Sequence, residues 1–141
     1  MPFILLIDDD EHSAYLLTRM LAAHGAPMIR HIGSAAEGGT ELANTLSDPA
    51  LDWPGMVIVD LKAHSRANLD FAQAHHVLLR QKGIPLAIMT PPTDEAGRQA
   101  LQNAGASAVF FREAELDAYR QETAAIVSFW ARHQRLDAIG M

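Results

Sequence analysis

Short apolar runs alternate with longer amphipathic segments along the whole chain. The apolar runs cover residues 3–7, 28–32, 56–59, 86–89 and 109–111. The first, third and fourth runs are almost continuously apolar, which is typical of central parallel strands that are covered on both faces. The pattern therefore predicts five strands, three of them in the middle of a sheet.

The segments between these runs have the length and periodicity of helices. The predicted helices cover residues 11–24, 35–47, 66–82, 93–104 and 113–135. Ser34 is placed to cap the second helix, and either Thr93 or Asp94 the fourth, because short polar side chains accept the first free N–H groups of a helix. Glycines follow three helices at positions where a helix C-terminus favours them, namely Gly25, Gly83 and Gly105.

Five strand–helix repeats predict an α/β fold with a doubly wound parallel sheet and helices on both faces. We expect one domain over residues 1–135 and a short tail over residues 136–141. In such sheets, functional residues gather at the carboxyl ends of the strands.

Composition narrows the class of protein. The chain has 141 residues, no cysteine and a formal net charge of −6. The charge disfavours a nucleic-acid or anionic-membrane partner, because phosphate binding needs clustered Lys and Arg. The apolar start is too short for a membrane span and lacks the basic flank of a signal peptide. We therefore expect a cytoplasmic protein.

Acidic residues concentrate at the ends of two predicted strands. Asp8 and Asp9 follow the first strand, and Asp60 follows the third. These strands are expected to be neighbours, so the carboxylates would share one crevice and repel each other unless a cation neutralises them. Mg²⁺ suits a site of a few carboxylates. Asp10 is better placed to cap the first helix.

Four stretches, taken in order, carry a resemblance to a known family. They are ILLIDDD, MVIVDL, PLAIMT and GASAVFFR. Together they resemble the receiver domain of two-component response regulators, over nearly the whole chain to about residue 130. The resemblance implies a flavodoxin-like receiver fold with strand order 2-1-3-4-5 and five helices.

The resemblance also implies roles for individual residues. Asp60 would accept a phosphoryl group from a histidine kinase, and Thr90 would bind that group. Asp8, Asp9, Asp60 and the backbone carbonyl of Lys62 would hold Mg²⁺. The loop 47–55 and residues 128–130 are further similar to stand-alone receivers that partner phytochrome-type kinases. Such a protein signals through contact with a downstream protein or phosphotransfer partner.

The chain departs from the family pattern on one side of this pocket. Arg112 stands where the family has lysine, and guanidinium is a wide planar group rather than a compact charge. Glu113 replaces a proline that is usually in a cis peptide, so we expect a trans bond there. Pro91 has no N–H to offer a phosphoryl group. Val109 replaces the aromatic residue that moves on activation.

Lys62 has two possible roles besides its carbonyl. Its side chain could supply positive charge to the acidic pocket, or it could be a solvated loop lysine. The histidines His12, His31, His64, His75 and His76 show no recognised zinc spacing and are expected to be surface or structural residues.

The last helix carries two apolar stripes at about 100° per residue. The predicted core stripe consists of Leu116, Tyr119, Thr123, Ile126, Val127 and Trp130. Phe129 and Leu136 lie off that stripe, either as incidental surface residues or as the face of a homodimer.

Three functional hypotheses remain open from the sequence. The first is a single-domain response regulator phosphorylated on Asp60. The second is a degenerate receiver that works as a phosphorylation-independent dimer or adaptor. The third is a Mg²⁺-dependent phosphohydrolase of the haloacid-dehalogenase type with Asp8 as nucleophile, although the Gly-Thr expected after the second aspartate is absent.

Overall fold

The computed structural model describes the backbone of residues 2–138 and the side chains of residues 2–135. The strands are β1 (Phe3–Asp8), β2 (Met28–Ile32), β3 (Met56–Asp60), β4 (Leu86–Thr90) and β5 (Ala108–Phe111). The helices are α1 (Glu11–Ala23), α2 (Ala35–Leu46), α3 (Ala67–Gln81), α4 (Glu95–Asn103) and α5 (Leu116–Ala138). Strands and helices alternate as the apolar pattern predicts.

The five strands form one parallel sheet in the order β2-β1-β3-β4-β5. This order and the five helices confirm the predicted fold class. Strands β1, β3 and β4 occupy the middle and are buried along almost their whole length, whereas the edge strand β2 is largely exposed. The continuous apolar runs therefore mark the central strands, as the sequence indicates.

Side-chain caps define the starts of three helices. Asp10, Ser34 and Asp94 each accept the backbone N–H three residues ahead. The predicted cap of α2 by Ser34 is thus confirmed, and of the two candidates for α4 it is Asp94 that caps the helix. Gly25 and Gly83 adopt φ of 88° and 71° after α1 and α3, a left-handed backbone that L residues rarely adopt.

The core has one layer on each side of the sheet. One layer packs α2, α3 and α4 against the sheet around Leu42, Phe71 and Leu79. The other packs α1 and α5 around Leu17 and Ile126. This two-sided cover leaves the carboxyl ends of the strands as the open edge where side chains from several elements meet.

The last helix corrects part of the predicted stripe assignment. Leu116, in the first turn of α5, is 52% exposed and so does not belong to the core stripe. Phe129 is half-buried, with its ring edge-on to Phe110 at 6.1 Å between centroids. Phe129 therefore contributes to the core and is not a free surface aromatic. The side chain of Leu136, the other residue of the predicted dimer face, lies outside the described residues.

Two further observations concern the backbone. Among residues 2–138 no cis peptide bond occurs, so the bond between Arg112 and Glu113 is trans as predicted. Within the same residues, no helix combines the length and apolarity needed to cross a membrane.

Candidate functional site

The site begins with two aspartates at the ends of neighbouring strands. Asp8 is the last residue of β1, Asp60 is the last residue of β3, and the parallel register places them opposite each other. Both side chains are 0% exposed. The prediction that these acids share one crevice is confirmed. Burial of two adjacent carboxylates is unfavourable unless positive charge lies nearby.

Lys62 supplies part of that charge. Its Nζ lies 2.7 Å from Oδ1 of Asp8 and 3.2 Å from Oδ1 of Asp60, and it also donates to the backbone oxygen of Asp60 at 3.0 Å. The Lys62 side chain is 24% exposed. Of the two roles considered from the sequence, the structure supports the one in which the ammonium enters the acidic pocket.

Arg112 supplies the second positive charge. It follows β5 and donates from a guanidinium N–H to Oδ1 of Asp60. Its backbone N–H donates to the carbonyl of Thr90 at 2.7 Å, which ties the end of β5 to the end of β4. Burial raises the pKa of Asp60, Lys62 and Arg112 act to lower it, and Asp8 adds to the rise. The two cations therefore offset the burial only in part.

Asp9 and Asp10 have different roles from Asp8. The carboxylate of Asp9 accepts the backbone N–H of Lys62 at 2.9 and 3.1 Å and that of Ala63 at 2.9 Å. Asp9 therefore holds the start of the β3–α3 loop. Asp10 caps α1, as predicted, and the hydrogen bond from the backbone of Ser13 lowers its pKa.

Asn68 joins the loop to the neighbouring strand. Its side-chain oxygen accepts from the backbone N–H of Leu61 at 2.9 Å, and its amide donates to the carbonyl of Met89 at 3.1 Å. Thr90 and Pro91 line a pocket of about 480 Å³ together with Lys62 and Arg112. The phosphoryl-binding residues suggested by the resemblance thus lie around one opening beside Asp60.

Sequence reasoning did not assign Ser13 or Tyr119 to the site. The hydroxyl of Ser13 is 3.4 Å from Oδ2 of Asp60, a long contact from the first turn of α1. Tyr119 of α5 is buried, and burial raises its pKa to about 12, with a further contribution from the Asp60 charge. Both residues line a second pocket of about 290 Å³ on the other side of Lys62. The core stripe of α5 identified Tyr119 as buried, but only the fold brings it near Asp60.

The side chains as arranged do not fit a divalent cation. Oδ2 of Asp8 is buried without a hydrogen-bond partner, which is a suitable metal ligand. Asp9, however, is turned to the loop, and Lys62 Nζ lies between Asp8 and Asp60. Within the described part of the chain, no group of three His, Asp or Glu side chains is arranged to hold a metal ion. The predicted Mg²⁺ ligands are near one another, with an ammonium among them.

Four of the five histidines considered from the sequence have structural contacts, and His12 is exposed. A ring nitrogen of His31 lies 2.8 Å from the carbonyl of Asp8, and one of His76 lies 2.9 Å from the carbonyl of Ala72. His75 packs on Phe71 with ring centroids 4.4 Å apart, and burial lowers its pKa. His64 accepts the backbone N–H of Arg66 at 3.3 Å. These contacts agree with the structural role expected for histidines outside a metal motif.

Solved structures resemble this chain closely in fold. The Mn²⁺-bound response regulator Rcp1 is 16% identical, with a TM-score of 0.73 over 91% of this chain and 93% of that one. The phosphorylated cyanobacterial phytochrome response regulator RcpA is 17% identical, with a TM-score of 0.73 over 92% and 93%. A CheY-like receiver domain protein from Methanospirillum hungatei JF-1 is 18% identical, with a TM-score of 0.70 over 96% and 98%.

The sequence comparisons give no such likeness. No family model matches the chain, and no curated protein matches it significantly. Most of the structural neighbours are described as response regulators or receiver domains, and one of them is a phytochrome response regulator. At these identities the likeness establishes the fold, so this chain has the receiver fold that its four sequence stretches predict.

Proposed function

We propose that this protein is a single-domain response regulator whose Asp60 accepts a phosphoryl group from a histidine kinase. The observation that carries the proposal is the buried Asp60 carboxylate at the end of β3, opposite Asp8 and in contact with Lys62 and Arg112. The receiver fold supports it, since in that fold the phosphoryl acceptor ends the third strand. The protein would act in the cytoplasm through contact with a downstream protein.

The two carboxylate oxygens of Asp60 have different partners and would have different roles in the transfer. Oδ1 is contacted by both Lys62 and Arg112, whereas Oδ2 has a long contact to the Ser13 hydroxyl. Oδ2 is therefore the better nucleophile. It would attack phosphorus in line with the phosphohistidine nitrogen, forming the O–P bond as the N–P bond breaks. The kinase histidine keeps the bonding electron pair and takes up a proton.

The cations and Thr90 would stabilise the transferred group. Phosphoryl transfer needs positive charge near the equatorial oxygens and little covalent chemistry from the protein. Arg112 lies where its guanidinium can move from Asp60 to a phosphoryl oxygen. Thr90 lines the same opening. Pro91 has no N–H and cannot contribute the usual backbone donor.

The proposal is tested by incubating the protein with acetyl phosphate and Mg²⁺ and measuring the intact mass. We expect an added phosphoryl group that is acid-stable and labile to hydroxylamine, as an acyl phosphate is. Asp60→Asn should abolish it, and Asp117→Asn, which changes a 77% exposed carboxylate in the first turn of α5, should not. An adduct that persists in Asp60→Asn would contradict the assignment of the acceptor.

A second function is favoured by the cations already present in the pocket. Lys62 and Arg112 together offset the charges of Asp8 and Asp60 without any bound group. A receiver of this kind could act as a phosphorylation-independent adaptor. Absence of the adduct from the wild-type protein, with both acetyl phosphate and phosphoramidate as donors, would favour the adaptor over the phosphorylated regulator.

A further inference from the structure

The ammonium of Lys62 lies in a setting made of oxygen atoms. Its three contacts within 3.2 Å are Oδ1 of Asp8, Oδ1 of Asp60 and the backbone oxygen of Asp60. Two of these atoms belong to side chains that are 0% exposed. Hard divalent cations take the same kind of ligands, namely carboxylate and carbonyl oxygens.

A further oxygen beside this position is unused. Oδ2 of Asp8 is buried and accepts no hydrogen bond. A buried carboxylate oxygen without a partner is costly, because it has lost water and gained nothing in return. The ammonium at Oδ1 leaves that cost in place, whereas a metal ion bound to both acids would remove it.

We propose that Lys62 is an internal cation that occupies the position of a divalent metal ion, so that the metal ion binds only when the Lys62 ammonium leaves. This inference rests on the Asp8–Asp60 pocket of the proposed function and adds a regulation of that pocket. Metal affinity would then be set by the exchange of the Lys62 ammonium for the metal ion.

The surroundings of Lys62 allow this exchange. Its side chain lines both flanking pockets, of about 290 and 480 Å³, so the ammonium can move out on either side. Its backbone N–H is held separately by the Asp9 carboxylate. Because backbone and side chain have different partners, the ammonium can leave while the loop stays in place.

The first experiment measures Mg²⁺ and Mn²⁺ binding by calorimetry, with no phosphoryl donor present. We expect Lys62→Met and Lys62→Gln to bind at least about tenfold more tightly than the wild type, since the ammonium that competes for the metal position is removed. Lys82→Met is the matched control, because it changes the same charge where the ammonium lies 5.4 Å from the Trp53 ring. Its affinity should equal that of the wild type.

Equal or weaker binding in both Lys62 variants would overturn the proposal. So would no detectable binding in any of the proteins. Circular dichroism of each variant shows that it is folded. Asp8→Asn in the Lys62→Met background should remove the gain in affinity, since the gain depends on the freed carboxylate.

The second experiment uses the wild-type protein. Acylation with an amine-reactive ester is followed by peptide mass spectrometry, with and without Mg²⁺ at saturation. We expect Mg²⁺ to increase modification of Lys62 several-fold and to leave Lys82 unchanged. Lys62 modification that is unaffected at saturating Mg²⁺ would overturn the proposal.

These outcomes are independent of the phosphorylation test. An Asp60 adduct together with unchanged metal affinity in the Lys62 variants would retain the proposed function and reject the internal cation. Tighter metal binding in those variants without any Asp60 adduct would retain the internal cation and reject phosphorylation of Asp60.

Discussion

Asp8 and Asp60 belong to β1 and β3, two of the three central strands, while Lys62 and Arg112 lie just beyond the ends of β3 and β5. The acids are 0% exposed, and the side chains of the two cations are 24% and 25% exposed. The acidic half of the pocket is thus part of the sheet, whereas the cationic half reaches it from the loops through long side chains.

This difference separates what is fixed from what can change. The strand register holds the two carboxylates opposite each other whatever lies between them. The ammonium and the guanidinium depend on rotatable side chains that also face open pockets. We infer that any rearrangement at this site would involve the loop cations before the strand acids.

The largest effect on stability is expected from removal of the Lys62 ammonium, the cation that contacts both acids. Lys62→Met should lower the free energy of unfolding at pH 7 by about 3 kcal/mol, because it leaves two buried carboxylates less compensated. Chemical denaturation measures the change. Lys82→Met should alter stability by under about 0.5 kcal/mol, as surface substitutions generally do.

A double-mutant cycle sharpens this result. Asp8→Asn combined with Lys62→Met should recover most of the loss, because Asp60 is then the only carboxylate of the pair and Arg112 remains to offset its charge. If the two losses simply add, Lys62 and Asp8 are not coupled, and the ammonium does not stabilise the acids.

The next effect concerns the phenol beneath the pocket. The pKa of Tyr119 is raised from 10.0 to about 12, first by burial and then by the charge of Asp60. The folded state therefore favours the protonated phenol. The stability that this contributes is complete below pH 10 and is lost as the pH rises through about 12.

Tyr119→Phe tests this effect. Between pH 10 and 12 the wild type should lose about 2 kcal/mol more than the variant, since one pKa unit corresponds to about 1.4 kcal/mol. Denaturation curves at successive pH values measure the difference. Tyr15→Phe, at an exposed position on α1, is the control and should keep the wild-type loss.

The smallest expected effect comes from the other cation. Arg112→Met should destabilise the protein by about 1 kcal/mol, less than Lys62→Met, because Arg112 contacts one acid and Lys62 remains in the pocket. The same denaturation experiment compares the two. A larger loss of unfolding free energy in Arg112→Met than in Lys62→Met would show that Arg112, and not Lys62, is the main counter-charge of the buried acids.

Much of the acidic half can be predicted from the sequence. Continuous apolar runs identify the central strands, and Asp8 and Asp60 follow them directly. Because neighbouring parallel strands end at the same edge, the two acids must come together. The helix caps Asp10 and Ser34 follow from local chemistry, since a short polar side chain before a helix accepts a free N–H.

The cationic half cannot be predicted in the same way. The direction of the Lys62 side chain depends on four rotatable bonds and on the buried charge of its partners, and neither is encoded in local spacing. The same holds for Asp9, whose position next to Asp8 indicated a metal ligand, although its carboxylate accepts the backbone N–H groups of Lys62 and Ala63. The partial burial of Phe129 was also not predicted. Its ring contacts Phe110 of β5, so the core extends beyond the apolar stripe that an ideal helix would present.

The register between β1 and β3 has a consequence for the folding pathway. Asp8 and Asp60 are far apart in the chain and meet when these two central strands pair. Pairing of β1 with β3 therefore brings two like charges together, and Lys62 lies only two residues after Asp60, on the segment that carries the second charge. The positive charge that compensates the two acids therefore comes from the same segment as Asp60, so the pairing of β1 with β3 needs no external ion to offset the repulsion.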